Sequence, residues 1–184
     1  MIKNLIIAFS IILLHSNLSN KDKVKWDGSV KLELTDYRAE PNWEITNVVH
    51  TATRISLGYA LKKNSKGEII DFTAQVNSYF YPNKSWYKKS SDVPLKDLII
   101  HERLHFDIAE LYSRIFRKRI SELKPNKNIV NQLTKLNDSI GKIFRKRHQL
   151  YDFETNGGLT KKIQKQWEDD IERELIELSE YAVN

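Results

Sequence analysis

The chain has 184 residues and contains no cysteine. Disulfide bonds, thiolate nucleophiles, cysteine-ligated zinc, iron–sulfur clusters and lipid attachment through cysteine are therefore excluded. The sequence also lacks internal repeats and low-complexity stretches. Its 40% hydrophobic and 29% charged residues are typical of an ordinary globular domain. This composition excludes a disordered tail, a collagen-like rod and a membrane protein with several spans.

The charge of the chain favours one sign only weakly. Thirty lysines and arginines against 24 acidic residues give a formal net charge of +6. The basic residues are interleaved with acidic ones, and the sequence has no motif of aromatic and basic residues that recognises nucleic acid. We therefore expect no nucleic-acid partner. Two basic runs, residues 114–119 and 142–147, support an alternative in which the chain holds acidic polymers at the cell envelope, although such runs are usually solvated helix faces.

The N-terminus has the features of a targeting segment. A short positive start, an apolar run over residues 5–14 and a polar stretch over 15–20 are typical of a secretory signal peptide. The run is too short for a membrane span, which takes about 20 residues. We predict a signal peptide over residues 1–19 and a secreted or periplasmic protein without a membrane span in the mature chain, with an uncleaved anchor as the alternative. Residues 20–184 are expected to form a single domain.

Alternation of apolar and polar residues predicts a small sheet. It covers about residues 54–81, on both sides of a turn that contains Gly67, and this pattern is typical of an antiparallel hairpin with one buried face. Residues 30–34 are a shorter strand candidate. The period then changes, and cap and stop signals predict three helices at about 93–124, 129–150 and 160–181, with Asp92 capping the first and a glycine-rich loop at 151–158. Strands followed by helices define an α+β fold.

The first predicted helix carries the chemistry. Its early part is apolar on more than one side, which predicts a position in the middle of the fold. It contains His-Glu-x-x-His, in which His101 and His105 share one helix face and can bind one zinc ion. Glu102 lies beside the first ligand, where it can accept a proton from a water activated by the metal. The motif predicts zinc-dependent hydrolysis, with Glu102 as the general base.

A catalytic zinc site takes three protein ligands, so one more ligand must come from outside this helical turn. The candidates are Asp152, Glu154, His148 and Glu110. Asp152 is the first choice, because the loop predicted around it leaves the backbone free to bring a carboxylate to the metal. Glu110 lies five residues past His105 and points away from the shared face, so it ranks last.

Three residues near these candidates have predicted supporting roles. Tyr151 can donate a hydrogen bond to the oxyanion of a tetrahedral intermediate. Asp107 and Glu110 can each accept the second ring N–H of a ligand histidine and thereby fix its tautomer. These assignments follow from residue type and from proximity along the sequence.

Several stretches together resemble a known family: residues 98–110, with Ser85-Trp86 before them and residues 151–156 and 164–167 after them. They are similar to an uncharacterised bacterial family described as predicted secreted zinc-dependent proteases, and the similarity runs from about Trp26 to Tyr181. The resemblance implies an exported, zincin-like metallopeptidase domain that acts on a peptide or protein substrate. It also implies zinc bound by His101 and His105, with Glu102 as the base.

One position departs from the pattern of that family. Gly157 stands where the family motif tends to have a histidine, and Gly158 follows it. If that histidine is the third ligand, this chain has lost it; if Asp152 is the ligand, nothing essential is missing. The departure leaves an alternative function open, a catalytically decayed zincin-like module that binds or scaffolds in the cell envelope.

Overall fold

The computed structural model describes residues 22–89 and 94–183. In that part of the chain, no helix combines the length and the apolarity that crossing a membrane requires. The predicted signal peptide at residues 1–19 and the predicted helix cap at Asp92 lie outside the described residues.

The predicted hairpin is confirmed. It consists of β3 (Thr53–Lys63) and β4 (Ile69–Phe80), which pair antiparallel, and β1 (Val24–Lys25) adds to the other edge of β4. The turn between the long strands closes because the Asn64 side chain accepts backbone N–H groups at positions 66 and 68, while Gly67 adopts a φ of +80°. This three-stranded sheet, in the order β1-β4-β3, forms one layer of the fold.

The predicted strand at residues 30–34 is wrong. The chain instead forms a 3₁₀-helix at Leu34–Asp36. The Asp36 carboxylate accepts the backbone N–H of Glu33 at 2.8 Å, so a local side-chain bond takes a donor that a strand would need for its ladder. Short-range alternation therefore overstated the extended character of this segment.

A second, two-stranded sheet lies beside the first. It pairs β2 (Val49–His50) with β5 (Trp86–Tyr87) in antiparallel register. The Ser85 hydroxyl accepts the backbone N–H of Ala52 at 2.9 Å, which ties the segment after β2 to the one before β5. The pairing positions β2 within the segment 46–51, which lines a cleft.

Three helices follow the strands, as predicted: α1 (Leu95–Ser121), α2 (Ile129–Thr155) and α3 (Lys161–Glu177). The first helix packs against β4 and against both other helices, and its buried residues point to several sides. Its fully buried side chains include Ile108, Leu111 and Phe116. The prediction that α1 lies in the middle of the fold is confirmed, and the α+β class with it.

The second helix is longer than predicted. Residues 151–155, predicted as part of a loop, form its last turn. The helix ends where Asn156, Gly157 and Gly158 all take positive φ, and the N–H of Gly157 bonds back to the carbonyl of Asp152 at 2.9 Å. This is a left-handed C-terminal cap, for which glycine and asparagine are favoured. The glycines thus mark the end of a helix rather than a flexible loop.

A buried carboxylate joins α1 to the sheet and to α3. Glu110, only 2% exposed, accepts hydrogen bonds from the Ser78 hydroxyl on β4 and from the guanidinium groups of Arg114 and Arg117. The same two arginines donate to the carbonyls of Leu175 and Tyr181 near the C-terminus. Part of the basic run 114–119 therefore faces inward, which removes these arginines from the predicted acidic-polymer surface.

We expect Glu110→Gln to lower the free energy of unfolding by about 3 kcal/mol, because it leaves the buried guanidinium of Arg114 and the half-buried guanidinium of Arg117 without their counter-charge. The matched control is Asp169→Asn, which breaks an exposed ion pair of the same i,i+4 spacing with Lys165 and is expected to change stability little. Urea unfolding of both variants measures the difference. Equal effects would contradict a structural role for the buried pair.

Candidate metal centre

Two imidazoles on α1 face each other across one helical turn. His101 and His105 are both buried, and their Nε2 atoms lie 3.2 Å apart. The planes of the two rings are at 89° to each other, so the rings do not stack. Their two Nε2 atoms instead converge on one point. An oxygen of Glu102 and one nitrogen from each ring all lie within 4.8 Å of one another. This cluster of two histidines and a glutamate can hold a metal ion.

A third donor comes from the last turn of α2. Asp152 Oδ1 lies 3.1 Å from Nε2 of His101 and 3.0 Å from Nε2 of His105. The three atoms form a nearly equilateral triangle with sides of 3.0–3.2 Å. Four ligands arranged tetrahedrally at about 2.0 Å from zinc would be roughly 3.3 Å apart, so this triangle has the size of one face of such a site.

The charges of these three groups are coupled. Burial by itself would raise the pKa of Asp152, but hydrogen bonds with His101 and His105 hold that pKa well below its usual range. Burial likewise disfavours the charged form of His105, yet Asp152 and the charge of Glu102 raise its pKa above the ordinary value. The carboxylate is therefore ionised and favours positive charge between the imidazoles.

Gln164 on α3 sets the tautomer of His101. Its Nε2 donates to Glu168 at 3.0 Å, so its carbonyl oxygen faces the histidine and lies 3.2 Å from Nδ1 of His101. An amide oxygen can only accept, so Nδ1 of His101 carries the hydrogen. The hydrogen bond from Nε2 of His101 to Asp152 therefore forms only when the ring carries a second hydrogen, and in the neutral ring Nε2 presents a lone pair toward the Asp152 carboxylate. Two facing electron-rich groups need a proton or a cation between them.

Tyr151 lies behind His101. Its ring stacks on the imidazole at a centroid distance of 4.3 Å, and its fully buried hydroxyl donates its one hydrogen to the Gln164 oxygen at 2.8 Å, with the carbonyl of His101 at 3.1 Å. Burial raises the pKa of this phenol, so the hydroxyl stays protonated. We predicted that the Tyr151 hydroxyl donates to a substrate oxyanion. In the structure this hydroxyl points at protein groups, away from the cleft, so it does not lie where such an oxyanion would form.

The other predicted ligands and supporting acids lie elsewhere. Glu154 accepts the indole N–H of Trp167 at 2.9 Å. Asp107 accepts the indole N–H of Trp26 at 2.7 Å, and Glu110 is bound by the arginines described above. These pairings correct the prediction that Asp107 or Glu110 fixes a histidine tautomer.

His148 lies on the far edge of the His105 ring. The Nδ1 atoms of the two rings are 2.7 Å apart, so His148 contacts His105 at the nitrogen opposite the one that faces Asp152. Burial, followed by the neighbouring His105, lowers the pKa of His148 to about 3. Among the four candidates for a third ligand, Asp152 alone places an oxygen against both Nε2 atoms.

Glu102 is buried and held by a chain of hydroxyl groups. The Thr51 hydroxyl donates to its Oε2, and the Tyr37 hydroxyl lies 2.8 Å from the Thr51 oxygen. Because threonine has one hydroxyl hydrogen, Tyr37 must donate to Thr51 while Thr51 donates to Glu102. The chain orients the carboxylate through Oε2 and leaves Oε1 for a proton from a reacting group.

The cluster of His101, Glu102, His105 and Asp152 opens into a cleft of about 530 Å³. One wall is the segment 46–51, and the other is formed by the exposed side of the cluster and the end of α2. Gly157 lines this wall, and a Cβ there would meet no atom within 4 Å. The glycine that departs from the resembled family thus widens the cleft and is not needed to complete the triangle of donors.

Sequence reasoning missed Thr51, Gln164 and the place of His148. Their contacts with the motif span 51, 63 and 43 residues, so the periodicity of no single element reveals them. For Gln164 one signal was present, since it lies in a stretch that carried the family resemblance.

One family model matches this chain, over residues 28–158, with the description "Bacterial protein of unknown function (DUF922)". The matched range contains His101, Glu102, His105 and Asp152. No curated protein and no solved structure matches the chain significantly. The resemblance to an uncharacterised bacterial family is confirmed, while the family description assigns no activity, so the protease function stays a prediction.

Gly158 lets the end of α2 approach His101. A Cβ at this position would lie 2.7 Å from Cβ of His101, closer than packed carbons allow. We expect Gly158→Ala to lower the free energy of unfolding by about 1–3 kcal/mol more than Gly157→Ala. The second variant is the matched control, because Gly157 also has a positive φ but open space around it. Chemical denaturation compares them, and equal losses would contradict the close approach.

Proposed function

This chain belongs to the DUF922 family of bacterial proteins of unknown function, and we propose that it is an exported zinc-dependent hydrolase that cleaves peptide bonds. The observation that carries the proposal is the triangle of three donor atoms, 3.0–3.2 Å on each side, next to the carboxylate of Glu102. Two imidazole nitrogens and a carboxylate oxygen form a donor set that hydrolytic zinc sites use. Export rests on the sequence of residues 1–19.

The residues present fit zinc in number, chemistry and spacing. His101, His105 and Asp152 would hold the ion, and the side that opens into the cleft leaves room for a fourth ligand. A bound zinc ion supplies a Lewis acid, which makes water nucleophilic near neutral pH and polarises a carbonyl. Gln164 contributes by holding the Nε2 lone pair of His101 toward the other two donors.

Glu102 is the general base of the proposed reaction. Its Oε1 takes a proton from the attacking water as the new carbon–oxygen bond forms. The same oxygen then returns a proton to the amine nitrogen as the carbon–nitrogen bond breaks. Thr51 and Tyr37 keep the carboxylate in place through its other oxygen throughout both transfers.

The shape of the cleft favours an extended peptide as the substrate. Among the described residues, β2 pairs with β5 alone, so its second edge has no strand beside it. The segment 46–51, which contains β2, lines the cleft into which the donor cluster opens. An extended peptide can add to such an edge through main-chain hydrogen bonds. We therefore assign the proposed substrate edge to β2.

We expect Glu102→Gln to lower the turnover of an unfolded protein substrate by about 10²–10⁴-fold, because the amide cannot accept the proton from water. Zinc content per chain, measured by mass spectrometry, should stay that of the unsubstituted protein. Glu154→Gln is the matched control and should retain activity, since Glu154 contacts Trp167 and not the cleft.

Activity that survives Glu102→Gln would end the hydrolase proposal. Zinc bound by the unsubstituted protein without any measurable turnover would instead favour the alternative of a binding or scaffolding module on the same frame.

We expect Asp152→Ala to weaken zinc binding at least about 100-fold, more than the loss of a residue that only supports a ligand. Removal of this carboxylate leaves two nitrogen donors and takes away the negative charge of the triangle. Chelator competition measures the affinity, and Asp138→Ala, an exposed position on the same helix, serves as the control. Unchanged affinity in Asp152→Ala would remove Asp152 from the ligand set.

A further inference from the structure

His105 has a polar contact on each of its two ring nitrogens. Nε2 faces Asp152 and His101, at 3.0 and 3.2 Å, and Nδ1 lies 2.7 Å from Nδ1 of His148. The rings of His105 and His148 are nearly parallel, with an interplanar angle of 7°. A contact of this length between two nitrogens is a hydrogen bond, so one nitrogen donates and the other accepts.

The proposed metal site decides which nitrogen donates. An imidazole that binds a metal through Nε2 has no hydrogen there, so the single hydrogen of neutral His105 is on Nδ1. His148 must then accept through its own Nδ1 and carry its hydrogen on Nε2. On α3, Gln164 plays the same part toward His101, so the two ligand histidines each have a separate acceptor on a different helix.

This arrangement is costly for the fold. Nε2 of His148 is buried and has no hydrogen-bond partner among the described residues. A buried polar atom without a partner costs about 1–3 kcal/mol, so an apolar side chain of similar size would suit this place at least as well. The neighbouring aromatic ring of Phe144, at a centroid distance of 4.3 Å, makes the surroundings apolar. Packing alone therefore does not account for a histidine at position 148.

We propose that His148 is a positioning residue whose Nδ1 accepts the hydrogen on Nδ1 of His105 and so keeps the Nε2 lone pair of His105 directed at Asp152 and His101. The inference rests on the proposed metal site and deepens it, because it assigns a residue that tunes the affinity of that site. His148 itself does not touch the metal.

Two substitutions separate the acceptor from the bulk of the side chain. His148→Leu keeps a side chain of similar size and removes the acceptor. His148→Asn retains an oxygen close to the place of Nδ1. We expect His148→Leu to weaken zinc binding about 10–100-fold in chelator competition, and His148→Asn to stay within a few-fold of the unsubstituted protein.

The stability of the metal-free protein tests the alternative that His148 has a purely structural role, because such a role would change that stability. We expect metal-free His148→Leu to unfold at about the same urea concentration as the unsubstituted protein, because removal of the buried Nε2 without a partner offsets the loss of the acceptor for Nδ1 of His105. In the zinc-loaded protein, nitrogen NMR should show hydrogen on Nδ1 of His105 and on Nε2 of His148.

The outcomes separate this inference from the proposed function. Zinc affinity unchanged in His148→Leu, or a hydrogen found on Nδ1 of His148 in the zinc-loaded protein, would overturn the positioning role alone. Loss of stability in metal-free His148→Leu with unchanged affinity would show that the residue is structural and would overturn it as well. If the unsubstituted protein binds no zinc, the metal site falls and the inference falls with it.

Discussion

The contact between the last turn of α2 and the histidine pair of α1 determines the rest of the site. Asp152 reaches both Nε2 atoms because α2 continues through Thr155 before it ends in a left-handed cap. Tyr151, one residue earlier, stacks on His101 and fixes the distance between the two helices. A helix that ended four residues sooner would leave the pair of histidines without a carboxylate.

Polar groups inside α1 are tolerated because almost every one has a partner from another element. His101 uses Gln164 from α3, Glu102 uses Thr51 from the segment after β2, and Glu110 uses Ser78 from β4. Burial of such groups without partners would cost several kcal/mol each. The central helix can therefore carry a reactive cluster at one end and a structural ion-pair network at the other.

The convergence of lone pairs links the architecture to the proposed chemistry. Gln164 leaves the second nitrogen of His101 as an acceptor that faces an ionised carboxylate. Only a proton or a cation makes that arrangement favourable, and the separation of the donor atoms suits zinc. The segment that contains β2 lines the cleft beside this cluster, and among the described residues β2 has no strand on its second edge, so one cleft would serve both the proposed metal and the proposed substrate.

By itself, the sequence determined what local periodicity can encode. The hairpin around Gly67 follows from alternation with period two, and the shared face of His101 and His105 follows from helical geometry. The central place of α1 follows from its apolar surroundings. The end of α2 was misjudged because glycines at 157 and 158 are typical of a loop and of a helix cap alike, and only the backbone conformation distinguishes the two.

The tertiary structure alone decided which distant groups complete the cluster. Asp152 was one of several candidates with the same chemistry, and the supporting contacts of Gln164, Thr51 and His148 link residues 43–63 positions apart. Such contacts depend on how helices cross and where strands end, and no spacing within one element records either. A motif on one helix thus fixes two donors, while packing between helices chooses the third.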